Sequence, residues 1–264
     1  MQRDWARQTK PRGAMLSVMQ LNSRIRLRSE LALGRQELKV KFHSSPPRIL
    51  GSSELLAVAV GSHDAIYHLR AGWACQIRDL PNGRRAIVDI YLPGDVIGLD
   101  VAIRTRRLEE VLTLTSVTVE TIHAEDALID LTASQCTALY IVWLLAQRQR
   151  RTDRLLAAFS CLDARGRLAT ILLDFYTRLT SRKLVTASEY NLPLTQTQIG
   201  SYIGLTEVHV NRMLRSLREE RIVQMDKHCV TILDLEGLRN LAQRAVTLSS
   251  MTDAGERASS EAAD

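Results

Sequence analysis

The spacing of apolar and polar positions divides the chain into stretches of different period. Between Glu37 and Leu131 short apolar runs alternate with turn residues, and few patterns are long enough for a helix. Runs at Leu55–Val60, Ala65–Leu69, Trp73–Asp79, Ala86–Tyr91, Val111–Leu114 and Val117–Ile122 predict strands, separated by turn signals such as Pro81-Asn82-Gly83 and Pro93-Gly94-Asp95. Asn82-Gly83 predicts a hairpin tip. Strands at this spacing suit a small antiparallel barrel or jelly roll, a shape that encloses a pocket for a small ligand. From Ala133 to Phe159 the period becomes that of one long helix. Leu139, Val142, Ala146 and Leu156 recur at coiled-coil-like intervals, interrupted by Gln149 and Asp153, with Arg148, Arg150, Arg151 and Arg154 around the other faces. Such a stripe predicts a dimer seam; the alternative is packing against the chain's own β domain.

Leu194 to Leu217, LTQTQIGSYIGLTEVHVNRMLRSL, reads as two short helices joined at a glycine. Thr195 is positioned to cap a first helix that carries Ile199 and Ile203 on one face. Gly204 ends that helix, because glycine tolerates the left-handed backbone of a tight turn, and Thr206 caps the next. Val210, Met213, Leu214 and Leu217 then form an inward stripe, leaving Glu207, Val208, His209, Asn211, Arg212 and Arg215 outward. This is a helix-turn-helix pattern, although paired helices meeting at a glycine also occur in domains that touch no nucleic acid. Its outward residues suit base reading. An arginine at 212 reaches both acceptors of a guanine edge, and Asn211 offers the donor and acceptor that adenine needs. Glu207, Val208, Asn211 and Arg212 are therefore the expected base-reading set, with Arg215 expected on phosphate.

Arg221 to Ile232 contains two apolar runs, Ile222–Met225 and Cys229–Ile232, around Asp226, Lys227 and His228, which predicts a hairpin. A recognition helix followed by a hairpin describes a winged helix whose tip, at Lys227 and His228, can rest on phosphate. Asp234 begins a last helix through Leu235, Leu238 and Leu241. The expected organisation is a basic, flexible arm over 1–36, a β-roll sensor domain over 37–131, a dimerisation helix and hinge over 132–162, a winged helix-turn-helix over 163–245 and a disordered tail over 246–264. The fold class is α+β: an N-terminal antiparallel β-roll (cupin-like jelly roll), a long dimerisation helix and a C-terminal winged helix-turn-helix.

Composition changes this picture in three places. At 264 residues and 45% hydrophobic residues the chain can bury two modest cores. No run approaches the roughly 18 apolar residues of a membrane span, and no apolar core follows the basic N-terminus, so a cytoplasmic protein without membrane partners is expected. Cys75, Cys136, Cys161 and Cys229 are scattered, with no CxxC pair and no histidine at metal-ligand spacing, which argues against a zinc site or a cysteine-held iron-sulfur cluster. The net charge of +6 is uneven: residues 1–50 carry a surplus of 8 positive charges and residues 51–146 a deficit of 5. The helix-turn-helix itself is nearly neutral. Local geometry, rather than global basicity, carries the case for DNA.

The order of β-roll, long helix and winged helix resembles the Crp/Fnr family of bacterial transcription regulators. The resemblance runs from about Leu38 to Leu241 and rests on Leu69–Cys75 with its Gly-Trp-Ala-Cys turn, Leu92-Pro93-Gly94-Asp95 followed by Ile97-Gly98, the segment DARGRLATILL over Asp163–Leu173, and Leu194–Leu217. It implies a homodimer that inserts two recognition helices into successive major grooves of double-stranded DNA, at near-palindromic operators with half-sites about 34 Å apart. RNA polymerase is a further partner in keeping with that role. By motif, Thr195, Gln196 and Thr206 would hold phosphates at helix N-termini, and Arg212 matches the family's guanine-reading arginine. Where the family usually has a base-reading glutamate this chain has Val208, which suits a thymine methyl instead. His209 either contacts phosphate or packs against the preceding helix.

The resemblance leaves the effector unassigned. Members that bind cyclic nucleotides carry a glutamate shortly after the Pro-Gly-Asp turn and an Arg-Ser pair for the cyclic phosphate. Here Leu99 follows Ile97-Gly98, the phosphate region reads Glu109-Glu110-Val111, and Asp153 adds an acid on the long helix. Like charges beside a phosphate cost affinity, so cyclic AMP is not the expected ligand, and no metal or cofactor is expected. Cys75 is read as a small buried hydrophobe before a redox-sensing thiol, and His43, His63, His68 and His123 as structural or solvated residues. A metal-dependent cupin enzyme would need a close His-x-His and an acidic partner, which the β segment lacks. The reading is therefore a DNA-binding transcription regulator and not an enzyme. Its alternative is a small-molecule-binding or cupin-type β-roll protein whose helical tail is only structural.

Overall fold

The computed structural model describes residues 12–57, 65–81, 83, 85–99, 110–123 and 133–243. The first described element is a 32-residue helix, α1 (Arg12–His43). Among the described residues eight strands follow: β1 (Arg48–Leu50), β2 (Leu55–Ala57), β3 (Ala65–Ala71), β4 (Ala74–Asp79), β5 (Arg85–Tyr91), β6 (Val96–Ile97), β7 (Val111–Thr113) and β8 (Val117–His123). They pair antiparallel into two four-stranded sheets, ordered β1-β8-β3-β6 and β2-β7-β4-β5. Side chains alternate inward because successive Cβ atoms of a strand face opposite sides. Leu50, Leu56, Tyr67, Leu69, Tyr91, Ile97, Val111, Val117 and Val119 meet in one buried cluster. This is the expected β-roll.

Every predicted strand lies within a few residues of an observed one, except that 58–60 of the first fall outside the described residues. Asn82 of the predicted hairpin tip is outside them too. Strands β1 and β6 were not legible, being only three and two residues long.

Over 12–36 the chain is helical rather than the flexible arm expected, while 1–11 of that arm lie outside the described residues. Gly34, Leu38 and Phe42, four apart, form a stripe one residue wide and are buried. Leu38 and Phe42 close over Ile66 and Leu99 of the roll, with Tyr140, Ile141, Leu144 and Leu145 alongside. Those four belong to the long helix α2 (Gln135–Cys161), which the apolar spacing placed within two residues at each end. At the crossing the helices nearly touch: a Cβ on Gly34 would stand 2.0 Å from the carbonyl oxygen of Cys136. Glu37 completes the joint by accepting hydrogen bonds from the hydroxyls of Ser134, the N-cap of α2, and of Thr137, the latter at 2.6 Å. These two bonds hold its carboxyl below the usual range.

After α2 the chain turns at Leu162 into α3 (Ala164–Ser181), capped by Asp163, whose carboxylate accepts from the Gly166 N–H at 2.8 Å. Helix α3 is packed on the roll as well as on its own domain. Leu168, Ile171, Leu172 and Phe175 share one core with Trp73, Cys75, Ile77, Ile90 and Leu92, and the rings of Trp73 and Phe175 meet edge to face at 5.5 Å.

Beside this apolar contact runs a line of alternating charges. Arg148 and Arg151 of α2 reach Asp89 of β5 at 3.4 and 2.8 Å. Arg151 and Arg154 also reach Asp174 of α3, at 3.0 and 2.7 Å. Arg178 bridges Asp174 to Asp95, and Arg182 binds Asp95 and donates to the Pro93 carbonyl at 2.6 Å. Burial alone would raise the Asp95 pKa, but Arg178, Arg182 and the Leu92 N–H outweigh it and bring it down to about 2.

A carboxylate whose folded pKa lies below its ordinary 3.8 contributes stability above that value and loses it as pH falls through about 2. Denaturant unfolding of the wild-type protein should therefore show an acid limb between those values that Asp95→Asn lacks. At neutral pH the same variant should be less stable by on the order of 2 kcal/mol.

Candidate nucleic-acid interface

The C-terminal domain is built on α3 and contains a three-stranded sheet ordered β10-β11-β9, from β9 (Glu189–Asn191), β10 (Val223–Asp226) and β11 (Cys229–Ile232). Between them lie α4 (Gln196–Ile203) and α5 (Glu207–Glu219). A last helix, α6, spans 235–243, and the Asp234 carboxylate caps it by accepting from the Gly237 N–H at 2.9 Å.

Local sequence explains each boundary of the helix pair. Thr195 and Gln198 form a reciprocal capping box at the start of α4. Gly204 stops α4 at φ +71°, in the left-handed region that side chains with a Cβ disfavour. Thr206 caps α5 through the His209 N–H. The second helix then buries Val210 and Leu217 completely and Met213 and Leu214 in part.

The opposite face of α5 is open. Glu207, Val208, His209, Asn211, Arg212 and Arg215 are all exposed, and Val208 keeps 78% of its surface in solvent. Arg212 makes no side-chain hydrogen bond or ion pair with any described residue. Two members of the set are already engaged within the motif. The Glu207 carboxylate accepts from the Thr197 hydroxyl at 2.6 Å and ties α4 to α5, while a ring nitrogen of His209 lies 2.8 Å from the Thr206 hydroxyl.

A groove of about 570 Å³ runs beside this face, lined by Thr195 and Gln196 at the start of α4, by Asn211, Arg215 and Arg218 of α5, and by Lys227 and His228 at the wing tip. The groove thus brings together Thr195, Gln196, Arg215, Lys227 and His228, five of the seven residues named for phosphate, without Thr206 and His209, and adds Arg218. The signal for Arg218 was available, since 211, 215 and 218 repeat at four and three residues, the spacing of one helix face. The wing tip turns at Lys227, which adopts φ +53°, and a ring nitrogen of His228 lies 3.2 Å from the Leu192 carbonyl oxygen. Strand β9, not legible in the sequence, pairs with β11 and braces the hairpin from its other side.

The motif is held at a fixed place on the roll. Ser201 of α4 accepts from the Ile87 N–H and donates to the Arg85 carbonyl on β5, each at 3.4 Å. Tyr202 accepts from Arg151 at 3.0 Å, and burial pushes its hydroxyl up to about 12. Cys75 is buried against α3, where burial drives its thiol up to about 11, so it carries little thiolate at neutral pH. His43 and His68 both hydrogen-bond the buried Glu120, at 2.9 and 3.0 Å, while His63 lies outside the described residues. Among the described residues no cluster of His, Cys, Asp or Glu fits a metal ion, and no helix is long and apolar enough to cross a membrane.

The architecture is a two-sheet roll joined through a long helix to a winged helix with an open second helix, and comparison with known proteins makes it that of a DNA-binding transcription regulator. Residues 166–241 match the Crp-like helix-turn-helix domain. The transcriptional regulatory protein btr of Bordetella pertussis is 28% identical over 181 residues, 67% of this chain and 73% of that protein. An anaerobic regulatory protein of Haemophilus influenzae is 26% identical over 191 residues, 72% of this chain and 73% of that protein. Among solved structures, FixK2 from Bradyrhizobium japonicum superposes with a TM-score of 0.65 at 22% identity, over 75% of this chain and 96% of that one. A CooA variant from Carboxydothermus hydrogenoformans superposes at 0.60 with 14% identity, over 76% and 89%. The chain is thus similar to Crp/Fnr-type regulators over 67–72% of its length, and residues 166–241 form a Crp-like helix-turn-helix domain.

The caps that shape the motif are open to test. Thr206→Ala removes the acceptor for the His209 N–H and should lower stability by about 1 kcal/mol in thermal or denaturant unfolding, with the helix content unchanged.

Proposed function

We propose that the protein is a homodimeric, sequence-specific regulator of transcription that reads near-palindromic double-stranded DNA with α5 and is not an enzyme. The observation that carries this reading is the open face of α5, with Arg212 at its centre unpaired among the described residues and the groove lined by Asn211, Arg215, Arg218 and Lys227 at its side. Arg212 takes a guanine edge, Asn211 an adenine and Val208 a thymine methyl. The free N–H groups at the starts of α4 and α5, near Thr195, Gln196 and Thr206, hold phosphates with Arg215 and Lys227. His209 reaches phosphate through the ring edge turned away from Thr206. Because Glu207 is occupied by Thr197, it orients the motif first and reads bases second.

Dimerisation uses the outward stripe of α2. Val142 and Leu156 expose 61% and 64% of their surfaces, Ala146 lies exposed between them, and Leu139 is half-buried. A helix hides apolar side chains of that size against its own domain unless something else covers them, and a two-fold pair of half-sites needs a two-fold protein. Such a dimer works in the cytoplasm, and the operator's position relative to the promoter sets whether it recruits or blocks RNA polymerase.

The roll does not take cyclic AMP. Leu99, where the nucleotide-binding members place their ribose-binding region, is buried under α1. The half-buried Glu110 keeps a carboxylate in the phosphate region, 3.8 Å from Arg85. The polar groups that face α2 are satisfied internally, with Gln76 accepting from Tyr91 at 2.8 Å and from Arg148 at 3.0 Å. A signal that reaches the roll acts through the contacts with α3 that set the separation of the two recognition helices.

Selection of bound sequences from random DNA should return a two-fold site. On that site Arg212→Ala should lose roughly 1–3 kcal/mol of affinity and relax its preference at one base pair per half-site, with unfolding unchanged. Retention of full affinity and sequence preference by that variant would overturn the assignment. Titration calorimetry with cyclic AMP should show no heat of binding at micromolar concentrations, and a micromolar isotherm would reverse the view of the roll.

A further inference from the structure

Beside the α2 stripe lies an apolar groove of about 620 Å³, walled by Arg26, Leu27 and Glu30 of α1 and by Gln135, Ala138, Leu139 and Val142 of α2. Nothing described in the chain covers it, and Leu27 and Val142 stand 44% and 61% exposed on its two walls. The walls cannot drift apart, because the Gly34–Cys136 contact and the Glu37 bonds to Ser134 and Thr137 fix α1 on α2 at its edge. It is a preformed hole between two helices.

Two observations select its occupant. Leu139 and Val142 belong both to the groove and to the dimer stripe, so a second copy seated on the stripe necessarily lies against the groove. The α1 wall presents a cation and an anion together, Arg26 and Glu30, paired within the helix at 2.8 Å. Each charge of that pair is already answered within α1, so the wall they leave to the groove suits an apolar occupant such as the stripe of a second copy.

We propose that the dimer contact extends beyond α2: the partner's α2, led by its Val142, seats in the α1–α2 groove against Leu27, so that α1 and α2 of both copies form a four-helix contact. This rests on the homodimer reading above and adds α1 to it. The arrangement also gives a purpose to a helix far longer than the two turns, Leu38 and Phe42 at their centre, that pack on the roll.

Cross-linking between single-cysteine subunits tests the two layers separately. In a full-length background with Cys136, Cys161 and Cys229 replaced by Ser and the buried Cys75 kept, subunits carrying Leu27→Cys and Val142→Cys are co-expressed with different tags and treated with a short bis-maleimide. A covalent species bearing both tags is expected, since neither subunit alone holds both thiols. If Val142→Cys subunits cross-link to one another but no mixed species forms, α2 is the dimer seam and the proposal for α1 is wrong. If Val142→Cys subunits do not self-link and the protein sediments as a monomer, the homodimer reading itself is wrong. As a second measurement, Leu27→Glu should raise the dimer dissociation constant at least tenfold in sedimentation equilibrium while leaving circular dichroism unchanged, and an unchanged constant overturns the proposal.

Discussion

The arrangement of this protein depends on a line of carboxylates and guanidiniums that crosses three elements: Asp89 and Asp95 on the roll, Arg148, Arg151 and Arg154 on α2, Asp174, Arg178 and Arg182 on α3. Burying charges is costly, and a buried network is weak as a source of net stability when set against an apolar core of the same volume. What it supplies is geometry. An arginine held at 2.8 Å from one carboxylate and 3.0 Å from the next tolerates little sliding. Any other packing of α3 on the roll would strand an unpaired charge, at about 3–5 kcal/mol for each broken partner. Apolar contacts such as Trp73 on Phe175 provide the attraction, and the charges select one register for it.

That register decides where the open face of α5, the proposed DNA-binding surface, stands. Helix α3 is the floor of the winged domain, and α4 rests on the β5 edge through Ser201, so α5 inherits its position from the roll through two short links. The polar residues nearest the roll are consumed in this bracing. Asn211, Arg212 and Arg215 make no side-chain hydrogen bond or ion pair with any described residue and stay exposed. Within the motif the same division holds: Thr195, Thr206 and Glu207 spend their side chains on caps and on the α4–α5 tie, while their neighbours face solvent. Rigid support behind and open donors in front is what base reading requires, because hydrogen bonds to base edges discriminate only when their donors are pre-placed.

The helix-turn-helix was legible in the sequence nearly to the residue, since each of its decisions is local. Caps, the αL turn at Gly204 and the stripe of Val210 and Leu217 involve residues within a turn or two of one another. The wing hairpin and the longer strands were legible for the same reason. Helix α1 was not, because its buried stripe is one residue wide and its key position, Gly34, adds no hydrophobicity; the glycine matters only because another helix passes there. Strands β1, β6 and β9 are two or three residues long, too short for a period, and exist because a partner strand is already in place. The arginines of α2 could be placed only around its remaining faces, since nothing in their spacing reveals that Asp89 and Asp174 come to meet them.

The sequence by itself determined the kinds of element and which side chains α5 turns outward: turns, caps and periodicities act over a few residues, and the outward positions of α5 follow from the inward ones. Only the tertiary structure decided how those elements are joined. Which arginine meets which aspartate, why α1 is ordered and where α4 touches the roll are mostly contacts between residues 20 to 116 positions apart, and no local preference encodes a pairing across that distance.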